Sequence, residues 1–372
     1  MADNKSNTLL KYPMRPWMIV TVLFFSSGNL LAQRADFVIT GKVIDQSTQL
    51  PLSGASIFCQ NTTIGVISNS EGSFTIRLPN GGYDLIVSYT GYETFSQRIN
   101  SDNGLAPLQV ELKMQDKSMQ EVAVVGSNEL PDGWARYGQF FLDNFIGSTP
   151  NAATCKLENS DSLRFYYYKK RNKLKILARS DLVILNYSLG YKIRYQLDSF
   201  VHEYSSGVST FSGYPLFEEM EGTDSQMVAW NRNRAKAYSG SRMHFMRSWY
   251  DSSLTSQGFT IERIQDSTAL EGVPITNPFD STFYHADSAD VEIDLKGRLR
   301  VIYRPELPDP HYLSQYKLSP HTRVQISLVE IGDVFIIEKN GYFYEQADLV
   351  NIGYWAWEKL GDALPYNYLQ RQ

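Results

Sequence analysis

Hydrophobic and polar positions alternate with a period of two along much of the first third of this chain. Phe74, Ile76 and Leu78 are separated by Thr75 and Arg77, as in a strand with one buried face. β-Rich runs at 37–39 and 42–44 flank Gly41, where a strand tolerates a bulge or a close backbone approach. Ile57 and Phe58, then Ile64, Val66 and Ile67, predict two short strands around the polar tip 61–63. Pro51 with Gly54, the triplet 70–72 and the run 79–82 are turn signals, and the last leads into an apolar strand at 83–89. Short strands between such turns predict an antiparallel β-sandwich of prealbumin or immunoglobulin type over 36–114. Gly72 and Gly91 are read as positions that need positive φ.

Beyond a polar connector or last strand at 115–127 the period changes. Phe140, Phe141, Phe145 and Ile146 recur at helical spacing, predicting a helix over 134–145 ended by Gly147. Strands follow at 163–168, 174–178, 182–185, 191–197 and 200–204. A long helix is expected through 230–250, capped by Asp224 or Ser225. A strand at 259–264, a hairpin pairing 291–295 with 299–303 about Gly297, and a meander of 324–328, 334–338 and 341–345 complete the pattern. The expectation is a mainly β, α+β chain: the sandwich, then an antiparallel-sheet α+β domain over 128–372.

The N-terminus has the composition of an export signal. Lys5, Lys11 and Arg15 precede an apolar core at 17–25, and Leu30-Leu31-Ala32 offers a small residue for cleavage. Residues 1–33 are therefore expected to be a signal peptide; an uncleaved anchor is the alternative, although the run is short of the roughly 20 residues that span a bilayer. The apolar core is not followed by a cysteine, so no lipoprotein anchor is expected.

The net charge of -5 provides no basic field for nucleic acid. The 24 tyrosines suit sheet faces that pack while keeping a wet hydroxyl. Cys59 and Cys155 are the 2 cysteines, read as separate buried thiols rather than a bridge.

Gly41 to Asp45, Leu50-Pro51-Leu52-Ser53-Gly54-Ala55, Asn69-Ser70-Glu71-Gly72-Ser73-Phe74, Gly91-Tyr92 and Glu121-Val122-Ala123-Val124-Val125-Gly126 together resemble the carboxypeptidase regulatory-like domain of exported Bacteroidota proteins. That resemblance implies a non-catalytic accessory, similar to the domain beside zinc carboxypeptidases and to the N-terminal extension of TonB-dependent transporters. About 245 residues follow, too few for a transporter barrel of about 22 strands. Phe140 to Gly147, Leu189-Gly190-Tyr191, Gly213-Tyr214-Pro215-Leu216-Phe217, Trp230 to Arg234, Ala237 to Ser241, His244 to Ser248 and Gly353 to Leu360 are similar to envelope proteins of the same phylum that carry such a domain in front. This second resemblance implies architecture and location but no activity.

Candidate chemistry is sparse. The 5 histidines form no His-Glu-x-x-His or His-x-x-Glu pattern, so neither a metal nor another cofactor is expected. Ser314-Gln315-Tyr316-Lys317 has the Ser-x-x-Lys spacing but lacks a companion Lys-Thr-Gly and reads as chance. The basic cluster at 169–175 reads as a solvated hairpin tip. Asp-Ser pairs at 161, 266, 280 and 287 resemble O-glycan acceptor sites of this phylum. The candidate binding residues are Trp230, Arg234, Arg242, His244 and Arg247, because arginine beside aromatic rings suits glycan, carboxylate or phosphate groups. The competing reading is that this helix only packs.

The function expected is non-catalytic: an exported protein of the periplasm or outer membrane that binds or scaffolds an envelope protein or a glycan. The alternatives are a hydrolase with an unrecognised site in the C-terminal region and a membrane-tethered accessory of a TonB-dependent transporter. Nothing in the pattern assigns an oligomeric state.

Overall fold

The computed structural model describes residues 36–101, 106–115, 128–265, 272–287, 290–344 and 349–370. The expected signal peptide, the strand at 122–125 and the Asp-Ser pair at 266 lie outside the described residues, as does most of the connector.

Seven strands build the N-terminal sandwich: β1 (Asp36–Asp45), β2 (Ser56–Cys59), β3 (Gly65–Ile67), β4 (Ser73–Pro79), β5 (Gly82–Ser88), β6 (Phe95–Asn100) and β7 (Leu108–Leu112). One sheet has the order β4-β1-β7 and the other β3-β2-β5-β6. β1 pairs antiparallel with β4 but parallel with β7, so the sandwich is not wholly antiparallel. The alternation in β4 turns Phe74, Ile76 and Leu78 into the core beside Ile39, Val43, Leu85 and Val110. Gly72 and Gly91 both have positive φ.

Helix α1 (Gly133–Phe145) opens the second region. It covers a six-stranded sheet of β8 (Cys155–Leu157), β9 (Leu163–Tyr168), β10 (Lys173–Ala178), β11 (Leu182–Asn186), β12 (Tyr191–Glu203) and β13 (Val208–Glu219). β12 is one long strand where two were expected. Its first half pairs with β11 and its last residues with β10, while β13 runs along the other edge through a bulge at Leu197/Ser199. Phe141 and Phe145 of α1 meet Phe200, Tyr195 and Phe211 edge-on, which fixes the helix to the sheet.

The single helix expected at 230–250 is two. α2 (Asp224–Tyr238) is capped by Thr223 in a box with Gln226, rather than by Asp224 or Ser225, and α3 (Arg242–Tyr250) is capped by Ser241. Gly240 between them has φ +77, and a Cβ there would lie 2.5 Å from Gln325 Oε1. Positive φ and the crowding favour glycine at this point, where the chain changes direction.

A second core follows, built by β14 (Phe259–Ile264), β15 (Val273–Pro274), β16 (Tyr284–Ala286), β17 (Asp290–Ile293), β18 (Gly297–Tyr303), helix α4 (Pro310–Gln315), β19 (Gln325–Ile331), β20 (Phe335–Glu338), β21 (Leu349–Gly353) and the short helix α5 (Tyr354–Trp357). Here local pairing misleads. β17 joins β16 and β20, whereas β18 joins β14 and β19, so the expected hairpin of 291–303 is split between two sheets. The first link of the expected meander divides in the same way, with β19 beside β18 and β21 and β20 beside β17, whereas the second forms: Ile337 bridges Phe343, and Tyr344 N–H donates to the Ile336 carbonyl. Phe245 and Trp249 of α3 fill this core against Phe259, Phe335 and Trp355. The region expected as one α+β domain thus contains two hydrophobic cores. Cys59 and Cys155 are both free, the first buried and the second half-buried.

The sandwich is seated on the rest by specific bonds. Asn340 Nδ2 donates to the Gly82 carbonyl at 2.9 Å and the Tyr342 hydroxyl to Asp84 at 3.0 Å. Asn61 N–H donates to the Pro215 carbonyl, and Tyr366 N–H to the Asn61 carbonyl. Phe58, Ile86 and Leu216 pack together beneath these contacts.

Candidate binding site

The five predicted residues do not converge on one surface. Trp230 is buried and its indole N–H donates to the Tyr187 carbonyl at 2.9 Å. Arg234 is buried over the ring of Tyr191. Its Nε donates to the Leu189 carbonyl, another guanidinium nitrogen to the Gly190 carbonyl, and a third lies 3.6 Å from Glu219. His244 is buried as well. Its Nδ1 accepts from Gly240 N–H, so Nε2 carries the proton and donates to Gln257 Oε1 at 3.1 Å. Burial lowers its pKa, Gln257 opposes that shift and the charge of Arg247 adds to it. Arg247 holds the carbonyls of Asn340, Tyr366 and Tyr368, pinning the C-terminal segment. These four side chains hold backbone in place. Arg242, set over Phe343 at 5.2 Å, is the member of the set that borders open space.

That space is a groove of about 880 Å³ where the sandwich tip, the β12–β13 ribbon, the α2–α3 turn and the C-terminal segment meet. Phe211, Tyr214 and Arg242 line it at the surface, with Tyr195, Phe343 and Trp355 almost fully buried behind them. Phe211 is 39% exposed, which leaves a ring surface available at the rim. Asn144 and Asn351 add amide groups, and Asn351 Oδ1 is buried with no hydrogen-bond partner among the described residues.

Two carboxylates four residues apart, Glu358 and Asp362, line the same groove. Asp362 accepts from Thr149 Oγ1 at 2.7 Å and from Asn151 Nδ2 at 2.9 Å. Burial nevertheless pushes it up to about 6, with the charge of Asp309 adding to that rise and Lys236 opposing it. Glu358, half-buried like Asp362, lines the groove beside it. Burial raises its pKa well above the ordinary carboxylate range, and the charges of Asp362 and Glu306 raise it further. Glu306 is itself raised by burial, against hydrogen bonds from Ser239 and Gln325 and the charge of Lys236. No group of three or more His, Cys, Asp or Glu among the described residues is placed to hold a metal ion.

The sequence reading missed Glu358 and Asp362. Their signal was a pair of acids spaced by four directly after the aromatic run 354–357, but spacing alone does not show that a sheet edge and a distant ribbon enclose them. Ser314 sits in the last turn of α4, and Lys317 lies beyond it with φ 53, so the Ser-x-x-Lys match lacks the helical register its chemistry needs.

Residues 39–124 match the family described as the CarboxypepD_reg-like domain. This stretch is a carboxypeptidase regulatory-like domain. Part of the chain is also 28% identical over 110 residues to the TonB-dependent receptor P39 of Formosa agariphila. That alignment takes in 30% of this chain and 10% of the receptor, so the chain spans about a tenth of that relative's length. Among solved structures, a DUF3823 family protein from Bacteroides ovatus aligns at 12% identity and a TM-score of 0.18, covering 50% of this chain and 83% of that one. The group B streptococcus pilus 2b backbone protein aligns at 21% identity and a TM-score of 0.19, covering 22% and 42%. Similarities as low as these two carry no argument about fold or function. No helix among the described residues is long and apolar enough to cross a membrane.

Proposed function

We propose that this protein is an exported, non-catalytic accessory of the cell envelope, in the periplasm or at the outer membrane, that holds a glycan partner in the groove between its sandwich and its C-terminal region. The carboxypeptidase regulatory-like domain and the partial similarity to a TonB-dependent receptor support an envelope setting, as does the N-terminal sequence pattern. The observation that carries the binding reading is the groove itself. It is concave, about 880 Å³, and presents the rings of Phe211 and Tyr214 at its surface. Aromatic rings offer flat apolar faces to sugar rings while amides and carboxylates take hydroxyl groups, and ligand sites characteristically combine such walls with a few convergent polar groups. A flat protein partner would instead need about 800 Å² of open surface per side. The test is calorimetric titration of the chain from residue 34 with oligosaccharides released from envelope glycans. Binding that falls at least tenfold in Phe211→Ala supports the reading, and binding unchanged by that substitution removes the groove from it.

A hydrolase is the second reading, favoured by one observation: two carboxylates in unlike settings on one groove, the arrangement that separates an acid from a base. Release of new reducing ends from the same oligosaccharides, lost in Glu358→Gln, would establish it over simple binding. A tethered accessory of a TonB-dependent transporter is a narrower form of the envelope role and rests on the same partial similarity.

A further inference from the structure

Independently of what the groove holds, we infer that two adjoining hairpin tips of the six-stranded sheet dock on a bilayer surface of anionic phosphate headgroups.

The first tip joins β9 to β10. Residues 162–180 carry seven Lys and Arg and no Asp or Glu, in a chain of net charge -5. Three of these cations, Lys169, Lys170 and Arg171, are consecutive at the exposed tip. Their side chains have no hydrogen bond or ion pair among the described residues. Neighbouring like charges repel, and the chain has carboxylates in excess, yet none among the described residues is placed to answer them.

The second tip joins β12 to β13 and lies alongside the first. Tyr204 N–H donates to the Asn172 carbonyl at 3.1 Å, and Glu203 pairs with Lys173 at 3.4 Å. The acid of the second tip is thus already matched, and the cations of the first are left over. Tyr204 is 37% exposed and Val208 52%. The ring of Tyr204 meets Tyr167 edge-on, and the Tyr167 hydroxyl donates to Asn172 Oδ1 at 2.6 Å. These contacts hold aromatic groups beside the cations.

Every residue of 169–172 and 203–208 is exposed. Such tips give a chain-like ligand nothing to lie in, but they suit an extended plane. Cations that reach phosphates, beside tyrosines that sit at headgroup depth, are the combination that membrane surfaces favour. Each Lys or Arg close to an anionic surface strengthens attachment about fivefold, so three act together by about a hundredfold.

The experiment is co-sedimentation of the chain from residue 34, which holds every described residue and omits the apolar N-terminal run. The vesicles are phosphatidylcholine alone or mixed with an equal amount of phosphatidylglycerol. The expected result is binding to the mixed vesicles at least tenfold tighter than to the neutral ones, and weaker as salt is added. Lys169→Gln, Lys170→Gln and Arg171→Gln together should lower it about a hundredfold. Arg263→Gln, Arg304→Gln and Arg323→Gln together remove the same charge from other exposed positions and should leave it within about twofold. Both variants should melt as the wild type does, since the replaced side chains are exposed. No binding, equal binding to both vesicles, or equal loss in the two variants overturns the inference. Full competition by glycerol phosphate at matched phosphate concentration also overturns it, because the tips would then hold a free phosphate and not a surface. Polygalacturonate bound more tightly than the mixed vesicles overturns it in favour of an acidic glycan.

Discussion

Arg234 lies over the ring of Tyr191, its guanidinium carbon 3.9 Å from the ring centroid, while its nitrogens hold the carbonyls of Leu189 and Gly190. One side chain from α2 thereby ties the turn that feeds β12. Glu219, at the end of β13, supplies the counter-charge at 3.6 Å, but its own side chain is 56% exposed, so most of the tie comes from the carbonyls and the ring.

Arg234→Ala should therefore destabilise the fold by about 2–4 kcal/mol, because it leaves buried carbonyls unpaired and removes packed stem and ring contacts. Thermal melts should show the loss, and Arg234→Lys should restore little of it, since an ammonium cannot reproduce the fork. Ligand affinity, measured at a temperature where the variant remains folded, should not change.

Asp362 gives a pH signature. It titrates at about 6 in the fold against an ordinary value of 3.8. Between those values the folded state holds a proton that the unfolded chain has released, so this contribution to stability is complete below 3.8 and lost as pH rises through 6. Asp362→Asn keeps partners for Thr149 and Asn151 but no longer titrates. The wild-type melting temperature should fall relative to the variant as pH rises from 4 to 7, and parallel pH profiles would contradict the assignment.

Cleavage in the connector should not release the sandwich. Asn340 and Tyr342 bond to Gly82 and Asp84, and the sandwich tip is held between Pro215 and Tyr366. Limited proteolysis within 116–127 should give two fragments that co-elute by size exclusion in buffer and separate in denaturant. Free separation after the cut would show that these contacts are too weak to hold the two parts together.

The sequence disclosed what depends on near neighbours. The alternation through Phe74, Ile76 and Leu78 places β4 and its buried face, and the helical spacing of Phe141 and Phe145 places α1. The β9–β10 hairpin forms as its flanking runs suggested. It did not disclose where a strand goes when its partner is remote: β17 and β18 follow each other closely yet enter different sheets. Gly240 falls inside the span expected as one helix, and the atoms that crowd a side chain there belong to the distant Gln325 and Tyr303. The groove was invisible for the same reason. Tyr214, Arg242 and Glu358 stand far apart in the chain, and only the packing of the three cores brings them to one space.

Hydrogen exchange of the chain with and without saturating oligosaccharides released from envelope glycans tests the central claim most directly, because it locates the ligand as well as detecting it. The account predicts added protection in 209–215 and 353–366, the ribbon and the C-terminal wall of the groove, with no change in the sandwich strands β3 and β4. Protection confined to the sandwich, or none at ligand concentrations that give a calorimetric signal, would contradict it.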